Sequence, residues 1–234
     1  MVTIGAQFNG PERSGNGGYV AGMLGDELGH TPATSTLRLP PPLEVPLSWE
    51  HDGDDLRLLT AGGAVVGSAK PGAFVREPPP CPTADQAAEG LAAYPGLRHH
   101  PFDRCFTCGT QRDDGDGLRL FTGPIGDDLT AGPWTAHEAF AGEDGTIDVP
   151  VMWAALDCPG GWAADFTHNT IVLGRMTAEI ARRPLAGEPC LSTGRLHAQE
   201  GRKFLTDTAL YTATGELLGR AEQTWILIDL ANFT

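Results

Sequence analysis

Residues 60–69 read TAGGAVVGSA and residues 212–221 read TATGELLGRA. Five of the ten positions are identical, and Val65-Val66 falls opposite Leu217-Leu218. Each stretch places a glycine-bearing tight turn between two apolar runs, the pattern of a β-hairpin. Two copies of one hairpin in a chain of 234 residues point to an internal duplication. A duplicated chain of this length has room for two similar units that share a core.

The flanking sequence fits that reading. Upstream of the second hairpin run TIVLGRMTAEI (170–180), CLSTGRLHAQ (190–199) and KFLTDTALYTA (203–213), and LLGRAEQTWILID (217–229) continues it. Val, Ile, Leu and Thr dominate these runs, as in strands. The first half has shorter counterparts at 34–39, 46–51, 55–61 and 64–70. Each set follows a candidate helix. In the first half this is NGGYVAGMLGDELG (16–29), weakened by Gly22 and Gly25 in its interior. In the second it is 149–157, with Asp148 as N-cap and Pro150 in the first turn. One helix followed by antiparallel strands, twice over, is an α+β layer arrangement.

Between the halves the texture changes. PGAFVREPPPCP (71–82) resists regular structure, because proline lacks the amide donor and restricts its predecessor. Thr83 and Gln86 are spaced as a capping box for a short alanine-rich helix that stops near Pro95-Gly96. The segment then carries Cys105 and Cys108 as a CxxC, with His99 and His100 upstream. Two thiolates and an imidazole make zinc conceivable. The chain has no second CxxC, so the expectation is a structural thiol pair and no metal. A thioredoxin-type role is disfavoured, since such motifs lie between a strand and a helix.

Charge excludes other classes. The net charge is −14, spread over loops such as DGDD (52–55) and RDDGDG (112–117), with no basic stripe for a nucleic acid. No apolar run reaches membrane-spanning length, and the first residues, MVTIGAQFNG, lack signal-peptide character. Five cysteines without secreted-scaffold spacing are expected to be reduced thiols in a cytoplasmic protein. Against this background Asp157, in VPVMWAALDCPGG, is out of place. A carboxylate in an apolar run must be solvated, paired or protonated.

CFTCGTQRDDGDGLRL (105–120) resembles the Cys-Phe-x-Cys-Gly…Gly-Leu lead-in of thioesterases of the phenylacetate-pathway type, and residues 194–225 are similar to that family's terminal strands. The resemblance implies a double hotdog, two repeats each with a central helix wrapped by an antiparallel sheet. The expected division is a first repeat with the start of the connector at residues 1–95, the rest of the connector with its CxxC at 96–117, and a second repeat at 118–234. The implied activity is hydrolysis of acyl-CoA or acyl-carrier-protein thioesters, with coenzyme A present only as part of the substrate. In the family a His-Gly-Gly segment opens the central helix, and an acid often follows eight positions after the first glycine. Here Gly17 and Gly18 match the glycines, Asn16 replaces the histidine, and Gly25 stands where the acid belongs. In the second half Val149 and Pro150 replace the glycines, yet Asp157 falls at the acid position. One half would thus supply helix-terminal amides and the other a carboxylate. The resemblance also makes Asn9 a candidate for orienting water or the carbonyl, and Arg202 and Lys203 candidates for the CoA phosphates. His168 and Asn169, close after the helix, are candidates for the same cleft. Enoyl-thioester hydration and acyl-thioester binding without turnover are the alternatives. A fused pair allows a monomer or a homo-oligomer.

Overall fold

The computed structural model describes residues 1–126 and 128–229; the expected second repeat, 118–234, therefore extends beyond the described residues. In chain order the elements are β1 (Val2–Thr3), α1 (Gly17–Leu28), β2 (Ala33–Leu37), β3 (Pro46–Asp52), β4 (Asp55–Thr60), β5 (Val65–Pro71) and α2 (Ala84–Ala92). They continue with β6 (Gly123–Gly126), β7 (Leu129–Thr135), α3 (Val149–Ala163), β8 (Ile171–Ile180), β9 (Pro189–Glu200), β10 (Lys203–Thr212) and β11 (Leu217–Leu227). The described strands form one antiparallel sheet in the order β1-β3-β4-β5-β2-β8-β11-β10-β9-β7-β6. The fold is thus α+β. Both hairpins predicted from the paired decapeptides form, as β4–β5 and β10–β11.

Read outward from its centre, the sheet runs β2-β5-β4-β3 on one side and β8-β11-β10-β9 on the other. The seam is the antiparallel β2–β8 pair, where Thr34 and Thr177 are opposite and share a 2.8 Å hydroxyl contact. One apolar cluster (Ile4, Val20, Leu24, Leu47, Leu56, Leu58, Val66, Ala69) fills the space between α1 and the first-half strands. A larger one surrounds α3 and reaches into the connector.

The sequence stops the second helix at Asp157, but α3 runs on through Pro159, Gly160 and Gly161 to Ala163. Proline deprives the carbonyl four residues earlier of its donor and crowds it, which ordinarily breaks a helix. Here side chains from elsewhere bond the neighbouring carbonyls. Thr107 Oγ1 donates to Ala154 O (3.0 Å), Thr208 Oγ1 to Leu156 O (2.7 Å), and Gln223 Nε2 to Leu156 O (2.8 Å) and Asp157 O (3.0 Å). Every residue from Val151 to Trp162 is buried, Asp157 included, because the sheet and α1 enclose this stretch of α3. Asp148 has the extended backbone of an N-cap but makes no capping bond through its side chain.

The two long helices meet along a glycine stripe. Gly18, Gly22 and Gly25 recur at helical spacing on α1 and face α3. A Cβ added to Gly22 would lie 2.7 Å from Trp153 Cβ and 2.8 Å from Pro150 Cα. The interior glycines that weaken α1 in isolation are what allow its backbone to approach α3 so closely.

The connector is docked. Thr83 and Gln86 form both bonds of the capping box and start α2. Arg76 pairs with buried Asp207 at 2.6 Å, and Tyr211 Oη donates to Pro79 O at 2.6 Å, strapping the proline-rich stretch to β10. Cys105, Phe106, Cys108 and Leu118 are buried against α3. The β6–β7 pair, in glycine- and proline-bearing sequence, has no periodic signal to predict it.

Candidate active site

Where the N-terminus of α1 meets the middle of α3 lies a largely apolar cavity of about 200 Å³. Asn16, Gly17 and Asp157 form its polar end, and Phe166, Leu173 and Trp225 are among its apolar walls. Local sequence explains the first of these. Asn16 is the N-cap of α1, its Oδ1 accepting from Tyr19 N at 2.8 Å, as short polar side chains do at helix starts. Its Nδ2 donates to Thr107 Oγ1 (3.3 Å) and contacts Cys105 Sγ (3.6 Å), which ties helix and connector together.

Asp157 is buried. Its Oδ2 accepts the Gly18 amide at 2.9 Å, and its Oδ1 has no hydrogen-bond partner among the described residues. Burial is the largest effect on its carboxyl and pushes its pKa from 3.8 up to about 8. The Cys105 sulfur also raises it, while the Gly18 amide and the Asn16 carboxamide pull it down. The Gly17 amide belongs to the free first turn of α1 and makes no hydrogen bond among the described residues. The arrangement therefore offers a helix-terminal donor and a carboxylate oxygen to one small volume.

Of the residues expected at a site, the structure brings Asn16, Gly17, Gly18 and Asp157 together. Gly18 appears in a different capacity from that expected, because its amide is already taken by Asp157. Asn9 is a correction. It is buried but does not line the cavity: its Oδ1 accepts from Arg112, and its Nδ2 donates to Gly10 O (3.2 Å). The buried guanidinium demanded acceptors, and the Asn9 loop supplies one. His168 and Asn169 are also corrected. His168 is exposed and bonded to Asp165 at 2.7 Å, and Asn169 donates to Ala164 O at 3.0 Å, so both complete the turn after α3. Arg202 is spent on the Leu227 carbonyl (2.8 Å), and Lys203 is an exposed residue opposite Ile226. Neither lines the cavity.

Two features escape sequence reasoning. Exposed Arg38, just after β2, stands at the cavity wall and makes no ion pair among the described residues. Cys158, next to Asp157, lies 3.7 Å from Cys105 sulfur to sulfur, with Cys108 in the same group. The sulfurs of Cys108 and Cys158 hydrogen-bond to Cys105 and hold its thiol well below the usual range, while burial raises the other two. The CxxC is visible in sequence; its third member, on another element, is not.

No family model matches the chain. No curated protein matches it in sequence. Solved structures do. A protein from Novosphingobium aromaticivorans DSM 12444, provisionally described as a thioesterase, aligns over 97% of this chain and 94% of its own at 17% identity, with a TM-score of 0.61. The E. coli PaaI protein from the phenylacetic acid degradation operon aligns over 47% of this chain and 83% of its own (11% identity, TM-score 0.43). A Streptococcus mutans UA159 protein bound to acetyl CoA aligns over 46% and 86% (11% identity, TM-score 0.43). None of the described helices is long and apolar enough to cross a membrane. Strand order, enclosed helix and full-length structural match together give this chain a hotdog-type fold, shared with the Novosphingobium aromaticivorans protein.

Proposed function

We propose that the protein hydrolyses acyl thioesters, of coenzyme A or of an acyl carrier protein, in the cavity between α1 and α3. The observation that carries this reading is Asp157, buried, with one oxygen on the Gly18 amide and the other free beside the open N-terminus of α1. In the reaction the thioester carbonyl lies against the first turn of α1. Negative charge develops on its oxygen, and the Gly17 amide, aided by the helix dipole, stabilises it. Ionised Asp157 takes a proton from water through Oδ1 as the water's oxygen bonds to the carbonyl carbon; collapse of the intermediate breaks the C–S bond, and Asp157 returns the proton to the departing thiolate. The Gly18 bond holds the carboxylate through Oδ2 and leaves Oδ1 without a partner among the described residues, available to the water. The walls around Phe166, Leu173 and Trp225 suit an apolar acyl group.

The mirrored strand order supports reading the molecule as a double hotdog, with repeats at 1–95 and 118–234 joined by the connector 96–117. On that reading α1 and α3 are equivalent central helices that have divided one site between them. One retains the amides and the other the acid.

A second reading rests on the same carboxyl. Held protonated by burial, Asp157 would donate a hydrogen bond, and the cavity would bind acyl thioesters without turnover. Hydration of enoyl thioesters draws no support, since the described histidine–carboxylate pairs lie outside the cavity lining. Turnover of a panel of acyl-CoAs by wild type and Asp157→Asn decides the matter. Hydrolysis that falls by roughly 10²-fold or more in the variant supports the base. Full activity in the variant refutes its role. Binding without hydrolysis by the wild type establishes the second reading.

A further inference from the structure

The sulfurs of Cys105, Cys108 and Cys158 all lie within 4.8 Å of one another, and all three residues are buried. They come from two elements, the CxxC turn of the connector and the middle of α3, and converge on one point of the cavity wall. The Cys105–Cys158 separation is 3.7 Å. Four ligands at a zinc–sulfur distance of ~2.3 Å in a tetrahedron place neighbouring sulfurs ~3.8 Å apart. A disulfide would instead require this pair to close to ~2.05 Å.

We propose that Cys105, Cys108 and Cys158 form a three-thiolate site for a soft divalent metal ion, zinc in the first instance. Its fourth position faces the cavity, because all three cysteines line it. The nearest imidazole does not fill that position. His100 Nε2 is bonded to Cys108 O at 3.0 Å, and its Nδ1 accepts from Phe102 N at 3.0 Å.

The surroundings suit anionic sulfur. Three thiolates and a divalent ion leave one net negative charge, which needs donors. Asn16 Nδ2 already points at Cys105 Sγ. The buried Trp162 indole N–H, beside Cys108, has no hydrogen-bond acceptor among the described residues, and an ionised Cys108 would give it one. Such hydrogen bonds to ligand atoms orient a metal site and tune its affinity. Bound metal would also clamp the connector to α3 independently of catalysis, so this inference does not rest on the hydrolytic reading.

The test uses the full chain, reduced and stripped of metal, titrated with Co²⁺ and then Zn²⁺. The expected result is one equivalent of Co²⁺ bound with an intense sulfur-to-cobalt charge-transfer band, displaced stoichiometrically by Zn²⁺, and a Zn²⁺-dependent rise in melting temperature. Cys105→Ser, Cys108→Ser and Cys158→Ser should each abolish the band, while Cys81→Ser leaves it intact. If a serine variant fails to fold, the wild-type titration and its thermal shift still decide. Absence of the band in reduced wild type overturns the proposal, and so does a band that survives all three substitutions.

Discussion

Gly22→Ala tests the packing that creates the site. By helix propensity alone this change would stabilise α1 by ~1 kcal/mol, since glycine is the poorer helix former. The structure predicts the opposite sign. The new methyl would stand 2.7 Å from Trp153 Cβ and 2.8 Å from Pro150 Cα, both atoms fixed to the α3 backbone. Ordinary carbon–carbon contact is ~3.5–4.0 Å, so the helices must part by roughly 0.8 Å. Overpacking of this kind costs ~1–3 kcal/mol, and set against the propensity gain it leaves a net loss of up to ~2 kcal/mol. For a chain of this size that lowers the melting temperature by up to ~8 °C. Separating the helices also lengthens the 2.9 Å bond from Gly18 to Asp157, so binding of acyl thioesters should weaken in parallel. Thermal and urea denaturation read the first effect, and titration with a non-hydrolysable acyl-CoA analogue reads the second. A variant stabilised by the ~1 kcal/mol that propensity alone predicts refutes the close α1–α3 contact.

Three further predictions follow from the cavity's charges. The folded protein holds the Asp157 proton up to about pH 8, while the unfolded chain releases it near 3.8. The native state therefore binds the extra proton across that window, and Asp157's contribution to stability falls as pH rises through it. Asp157→Asn should flatten that part of the denaturation profile, and an unchanged slope would refute a buried, protonated carboxyl. In wild type the hydrolytic rate should climb as pH approaches and passes 8, because the base must first ionise. Arg38→Ala should raise KM for acyl-CoA by about 5-fold, near 1 kcal/mol for an exposed charge pair, with kcat retained. Acyl-N-acetylcysteamine, which has no phosphates, should be unaffected; an equal effect on both substrates would show that Arg38 does not meet phosphate.

The hairpins at 60–69 and 212–221, the long C-terminal strands and the Thr83 capping box are legible in the sequence because each is a local matter of turn geometry, side-chain shape and hydrogen bonding between near neighbours. Asp157 also stands out locally, as a charge in an apolar run. What stops being legible is whatever depends on distant atoms. α3 continues past Pro159 in a setting where Thr107, Thr208 and Gln223, all distant in sequence, bond carbonyls on either side of Ala155. Asn9 leaves the site because Arg112, far along the chain, takes its carbonyl. The three sulfurs meet because the connector folds back onto a helix that begins some forty residues later. A sequence fixes the conformational preferences and chemical groups each segment brings. Which groups share a cavity is decided only when two helices pack at glycine-limited distance and burial sets what each must pair with.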